Sequence, residues 1–468
     1  MRQPVAELFA TATILAWYIC LVTNPIFPLP KNHQHPSLLD TERVRTSTVN
    51  DHFLSSSSSC TTSADCAFNG ECAKKQSPDD NDPEQSGSCQ CFPGWKGDTC
   101  EVMDVLPVET NSLGLKLPNH ESSTWGGSVS YDNNTQLYHM FASEIINDCG
   151  LYSWTTNSRV IRATSKSPFG PYRKKQVIVP IFAHDSNVIR SPSGEWVLFV
   201  TALKGVKPRD CRKNATTKID PLSTDSSSSS SLPPKDTYML WAEHPEGPWS
   251  KPVMVMNSTK YNSDYWSKQN KTAICDTNLN GIILPNSKIF VGIWRHCETD
   301  ELLTIPHLLT ATDWRNASTY IPHLKRPLFV LEGSGAEDPS NIWITRTSDM
   351  KPGQVAFHVL FHDEQATRCM LGACGGLGRH AYSLSDTHGN VIGVWRYATV
   401  NAYDRHVLFD NGTILRADTR ARPHVILDAA LQRPIALSNG LKERDESGYC
   451  WTVVVPLRTS TEIEQQIF

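Results

Sequence analysis

Short apolar runs separated by turn residues recur along this chain from residue 136 onward. QLYHMFAS (136–143), EWVLFVTA (195–202), KIFVGIW (288–294) and VAFHVLFHD (355–363) are rich in aromatic and β-branched residues, and each follows a Gly, Asn or Pro turn. That pattern predicts strands. Aligned on their last aromatic residues (Phe141, Phe199, Trp294 and Phe361), the runs recur at a mean interval of about 73 residues. A second element repeats as well: SPFGPY (167–172) and HPEGPW (244–249) share a Pro-x-Gly-Pro-aromatic turn. From Ser122 to the end the chain holds about five such intervals, which predicts an all-β fold, a five-bladed propeller with long connections. A tandem pair of two-sheet sandwiches gives no reason for a turn recurring at blade spacing.

The whole chain divides by composition. LFATATILAWYICLVT, preceded by a single Arg, reads as the apolar region of a secretory signal. No good small-x-small cleavage site follows, so residues 1–23 are a signal peptide or a signal anchor. Residues 24–59 are polar, contain Pro and end in five serines, which suits a flexible stem. Residues 60–100 are dense in cysteine, 101–121 read as a linker, 122–457 as the propeller and 458–468 as a tail. Within the propeller, 207–235 carries a six-Ser run (Ser226–Ser231) and reads as a low-complexity surface insertion. Sequons begin at Asn133, Asn214, Asn257, Asn270, Asn316 and Asn411. Together with 14 cysteines they predict the secretory pathway and an extracellular or single-pass membrane-anchored protein. Seven cysteines fall in the large domain, so one thiol there lacks a partner within the domain. Cys369 and Cys374, beside Gly375-Gly376, suit a local disulfide better than half a metal site, because no second Cys/His pair follows at finger spacing.

The cysteine island has the form C-x5-C-x5-C-x16-C-x-C-x8-C and closes with CQCFPGWKGDTCE. So short a segment cannot sustain a core without covalent links. It resembles an epidermal growth factor-like module, most specifically over its last twelve residues. The resemblance implies the pairs Cys60–Cys72, Cys66–Cys89 and Cys91–Cys100. Calcium-binding members carry acidic and amide residues before the first cysteine, where this chain has serines, so no calcium site is expected. The module is expected to serve as a spacer or to bind a protein partner.

Charge narrows the function. A net charge of -4 without a basic tract argues against nucleic acid as a partner. Contact with a membrane is expected only through the N-terminal segment. In a propeller the starts of the inner strands face the central funnel. Here they read Trp125-Gly126-Gly127-Ser128, His184-Asp185-Ser186-Asn187, Asp276-Thr277-Asn278, Glu337-Asp338-Pro339 and Arg422-Pro423-His424. With GRHAYS (378–383) and RPHVILD…RPIALSNG (422–440), these resemble the five-bladed propeller glycoside hydrolases, family 43 and related fructan-acting families. Glycoside cleavage needs a carboxylic acid to protonate the leaving oxygen and a carboxylate as base or nucleophile. Asp185, Asp276, Glu337 and Asp338 lie on three different blades and are the candidate catalytic set. Trp125, His184, His380, Arg422 and His424 are candidate carbohydrate ligands, and no cofactor or metal is expected. The chain departs from the family where the chemistry starts. The family's base Asp opens the first blade, where this chain has Trp125-Gly126-Gly127, and Asp132 sits further on in an Asp-Asn-Asn turn expected to face solvent. The family's acid Glu belongs on the third blade, whereas Glu337 falls on the fourth. The expected function is therefore a carbohydrate-active hydrolase, with a non-catalytic glycan-binding or cell-surface interaction protein as the alternative.

Overall fold

The computed structural model describes residues 59–74, 87–117, 122–202, 206–214, 236–261, 277–297, 304–329, 335–364, 377–391, 395–398, 400–430, 432–443 and 448–459. The N-terminal segment, the stem up to residue 58, Asp276, Asn270, the serine run, Cys275, Cys369, Cys374 and the tail beyond 459 lie outside them. Among the described residues no helix is long and apolar enough to cross a membrane.

Five antiparallel sheets follow one another along the chain. Blade 1 comprises Ser123–Asp132, Leu137–Ile145, Ser158–Ser165 and Arg173–Val179; blade 2 comprises Ala183–Arg190, Trp196–Ala202, Asp236–Ala242 and Val253–Met256. Blade 3 comprises Asn280–Ile283, Phe290–Cys297, Thr304–Ala311 and Tyr320–Pro327. Blade 4 has a broken inner edge, Gly335–Glu337 and Trp343–Thr345, followed by Ala356–Glu364, Leu377–Leu384 and Arg396–Tyr397. Blade 5 comprises Thr419–Leu427, Pro434–Lys442 and Cys450–Pro456, and its inner strand packs on that of blade 1, closing a five-bladed propeller.

The predicted apolar runs are the second strands of blades 1 to 4. They are continuous rather than alternating because each blade is covered on both faces, while successive side chains on a strand point to opposite faces. In blade 2, Val197 and Phe199 pack with Phe290 and Trp294 of blade 3, whereas Trp196, Leu198 and Val200 pack with Phe141 and Val160 of blade 1. The two Pro-x-Gly-Pro turns join the third and fourth strands of blades 1 and 2.

Every inner strand has one residue in the left-handed region at the same place: Gly126 (φ 61°), Asp185 (56°), Asn278 (40°), Asp338 (52°) and Arg422 (52°). The backbone bulges there, as the shifted registers on blades 1, 2 and 5 show. Just after each bulge a polar side chain reaches the next blade. Ser128 Oγ donates to Ser186 O (3.2 Å) and accepts from Val188 N (2.8 Å). Asn187 Nδ2 donates to Leu279 O (2.8 Å), and Asn280 Nδ2 to Pro339 O (3.2 Å). Asn341 exchanges two bonds with Val425, donating to its O (2.9 Å) and accepting from its N (2.8 Å). His424 Nε2 donates to Val129 O (3.1 Å), which returns to blade 1. Side-chain bonds thus run blade to blade around the whole ring.

The segment expected to be a linker completes blade 5. Val105 bridges Leu457 and Leu115 bridges Thr452, both along the outer edge of the Cys450–Pro456 strand, and Val108 N bonds Leu408 O on a small hairpin, His406–Leu408 with Ile414–Arg416. The disulfide-rich module carries the three expected pairs, Cys60–Cys72, Cys66–Cys89 and Cys91–Cys100. It packs against blade 4, with Trp95 stacked on Trp343 at 6.3 Å between centroids and Phe68 edge-on to Tyr382. In the large domain Cys149 is joined to Cys211.

Candidate functional site

The five left-handed residues surround one point, and Arg422 occupies it. Its Nη1 lies 2.5 Å from Asp185 Oδ1 of blade 2 and 2.8 Å from Asp338 Oδ1 of blade 4. The two carboxylates are therefore no farther apart than those two bonds laid end to end. Asp338 also accepts from the Arg422 backbone N–H (3.2 Å) and from Asn278 Nδ2 of blade 3 (2.7 Å). Asp185 is held from behind. His184 Nε2 sits 3.1 Å from its Oδ1, Ser158 Oγ lies 2.8 Å from His184 Nδ1, and Trp154 stacks on the imidazole at 4.7 Å. Glu337 is ion-paired with Arg295 of blade 3, and His362 Nδ1 lies 3.9 Å from Glu337 Oε2 and 3.8 Å from Asp338 Oδ2.

Burial is deep. The side chains of Asp185, Asp338 and Glu337 are 3%, 9% and 16% exposed, and Arg422 10%. A cavity of about 10 Å³ adjoins Asp338, Arg422 and His424, room for about one water molecule. A far larger one, about 660 Å³, lies at the other end of the inner strands, between Tyr131, Arg190, Ile283, Asn286, Asn341 and Leu427.

Asp185, Glu337, Asp338, His184 and Arg422 come together at the axis. Others do not. His380, on the third strand of blade 4, is fully buried in the seam with the module: Asn69 Nδ2 approaches its Nδ1 (3.5 Å) and Trp95 lies at 5.0 Å. Side chains on a strand alternate between faces, and this one faces the module rather than the funnel. Trp125 is 6% exposed and packs among Ile145, Cys149, Ala421 and Cys450, so it offers no open platform. The approach is close enough that a Cβ at Gly440 would meet its ring at 2.6 Å. His424 serves the interblade ring, and burial lowers its pKa to about 4, keeping it neutral. Asp132 does not face solvent. It is 3% exposed, accepting from Thr135 Oγ1 (2.7 Å) and Asn134 N (3.3 Å).

Sequence reasoning missed Arg295 and His362, which end the apolar runs FVGIW and VLF; a polar residue where such a run stops is the signal that could have found them. Glu337, Asp338 and His362 bring ligand atoms within 4.8 Å of one another. The guanidinium groups of Arg295 and Arg422 already neutralise both carboxylates and repel a cation there.

No protein-family model matches the chain, and no curated protein matches it by sequence. Solved structures similar to it include a family 117 glycoside hydrolase, Zg3597, from Zobellia galactanivorans, at 10% identity and a TM-score of 0.42 over 78% of this chain and 91% of that one. An endo-arabinase from Bacteroides thetaiotaomicron gives 14% and 0.40 over 75% and 96%. A family 62 α-L-arabinofuranosidase from Coprinopsis cinerea gives 10% and 0.42 over 78% and 97%.

Proposed function

We propose that the chain is a carbohydrate-active propeller whose axial site recognises a glycan without cleaving it. One observation carries this reading: Arg422 fills the space a first-blade side chain would need. A Cβ at Gly126 would already lie 3.2 Å from Arg422 Cδ and 3.3 Å from its Nε. A hydrolase needs a base reaching the axis and an acid opposite it, and a guanidinium partner occupies the carboxylate oxygens a substrate must reach. Here all three carboxylates have such partners. Paired carboxylates, amides and a guanidinium at the axis suit a hydroxyl of a polyhydroxylated ligand, which both donates and accepts, and the space of about 10 Å³ beside them admits one such group. Hydrolysis is the second reading, favoured by the convergence of Asp185, Glu337 and Asp338 from two blades on one point.

Chromogenic arabinosides, xylosides, galactosides and fructosides decide between them, with Glu337→Gln as control. The recognition reading expects no turnover by either protein, and binding of an oligosaccharide in calorimetry that Asp338→Asn weakens. Turnover abolished by Glu337→Gln establishes the hydrolase instead. We also propose passage through the secretory pathway, supported by the exposure of Asn133, Asn316 and Asn411 in surface turns. A mass loss on treatment with a peptide N-glycosidase is the expected result.

A further inference from the structure

The outer half of blade 1 carries a second concave site that the axial cluster does not use. Its cavity, about 570 Å³, lies between the third and fourth strands, the Pro-x-Gly-Pro turn that joins them, and Glu246 in the matching turn of blade 2. Four cations line it, Arg162, Lys166, Arg173 and Lys175, against the single carboxylate of Glu246, on a chain whose net charge is -4. Lys166, Arg173 and Lys175 are exposed, and none makes an ion pair among the described residues. Arg162 differs. Its side chain is only 6% exposed and is held by His139 Nδ1 (2.9 Å), Gln176 Oε1 (3.1 Å) and Glu246 (3.0 Å), while its buried Nε has no partner. Burial and the adjacent guanidinium lower the His139 pKa to about 4, so the imidazole stays an acceptor and keeps Arg162 in place.

We propose that this groove binds an anionic polysaccharide, one bearing carboxylate or sulfate groups. Three unpaired cations around a fixed, buried guanidinium present donors to acidic groups spaced along a chain. Leu137 and Pro171 give an apolar wall for a sugar face, and Glu246, 49% exposed, accepts from hydroxyls. The concave shape suits a polymer strand rather than the flat face of a bilayer. The site is separate from the axial cluster and stands whichever axial reading holds.

The test uses the full chain on surfaces carrying polygalacturonate or heparin, with dextran as the neutral control and phosphatidylcholine–phosphatidylserine vesicles as the competing anionic surface. Lys166→Glu, Arg173→Glu and Lys175→Glu are combined. A control combines Lys251→Glu, Lys288→Glu and Lys351→Glu, three exposed lysines outside the groove that change net charge equally. Expected is polysaccharide binding weakened about tenfold or more by the groove variant and barely by the control, with a salt slope lower by about 2. Equal weakening by both variants, binding to vesicles alone, or no binding of the wild type to either polysaccharide overturns the proposal. Unchanged melting of the groove variant separates lost contacts from lost fold.

Discussion

Arg422 is the residue on which the axial site turns, for reasons of both charge and backbone. It pairs with Asp185 and Asp338 at once from a buried position, so removing it leaves two buried carboxylates facing each other without their shared cation. Breaking a buried ion pair from one side costs about 3–5 kcal/mol. Arg422→Ala is expected to lower the unfolding free energy measured in urea by that order. Arg422 also holds φ at 52°, a region a side chain enters at a cost. Arg422→Gly loses the same ion pairs but not the backbone conformation, so it should retain about 1 kcal/mol more than Arg422→Ala. Equal stability of the two variants would show that the backbone there carries no strain. Sequence reading placed Arg422, Asp185 and Asp338 near the axis because all three open inner strands. It could not show that the arginine stands between the acids, since that is set by side-chain packing across three blades.

At the scale of elements, the strands covered on both faces were the most legible, because continuous apolar runs such as VLFV and VAFHVLF leave a sheet no solvent side. Blade 4's inner edge was located at Glu337-Asp338-Pro339, but its break was not: Pro339 interrupts it and its pieces are three residues each. The stretch GRHAYS was singled out for its resemblance, but neither its place on the third strand of blade 4 nor its facing was read. His380 lies in a buried hydrogen-bonded path: its Nε2 is 3.0 Å from His358 Nδ1, His358 Nε2 is 2.6 Å from Thr345 Oγ1, and Thr345 Oγ1 donates to Phe68 O of the module (3.1 Å). Each ring must accept on Nδ1 and donate on Nε2, which requires both to be neutral. Burial lowers the His380 pKa to about 3, and burial with the neighbouring imidazole lowers that of His358 well below its usual value. The unfolded chain takes up these protons near pH 6.5 and the folded chain does not. The His380 contribution is therefore complete above pH 6.5 and is lost as pH falls from there toward about 3, at about 1.4 kcal/mol per pH unit, and His358 acts in the same direction. Stability measured by urea at stepped pH should fall over this window, and His380→Gln, which does not titrate, should flatten the decline. An unchanged slope would place the acid sensitivity elsewhere.

For the whole molecule the question is what closes the ring. Three strands of blade 5 come from the C-terminal end of the chain, and the edge they leave is covered by residues 105–115, which precede blade 1. The scattered apolar residues of VLPVETNSLGLKL conceal this role in the sequence, where they read as a linker. The same segment leads from the last disulfide of the module, and Met103 N bonds Ala402 O between blades 4 and 5, so module, strap and last blade are bound together. The propeller and module should consequently melt in one calorimetric transition under non-reducing conditions. Leu115 tests the closure directly: it is fully buried, and its backbone exchanges bonds with Thr452, donating at 2.9 Å and accepting at 3.3 Å. Leu115→Ala loses packing alone, at about 2–5 kcal/mol. Leu115→Pro loses packing and the N–H donor as well, leaving Thr452 O without its strand partner, and should cost about 1–3 kcal/mol more. If both variants melt together with the module as one unit, the strap is part of the blade. If Leu115→Pro costs no more than Leu115→Ala, or the module melts apart from the propeller in the wild-type chain, the strap only lies against blade 5 and ring closure rests on the interblade bonds from Ser128, Asn187, Asn280, Asn341 and His424.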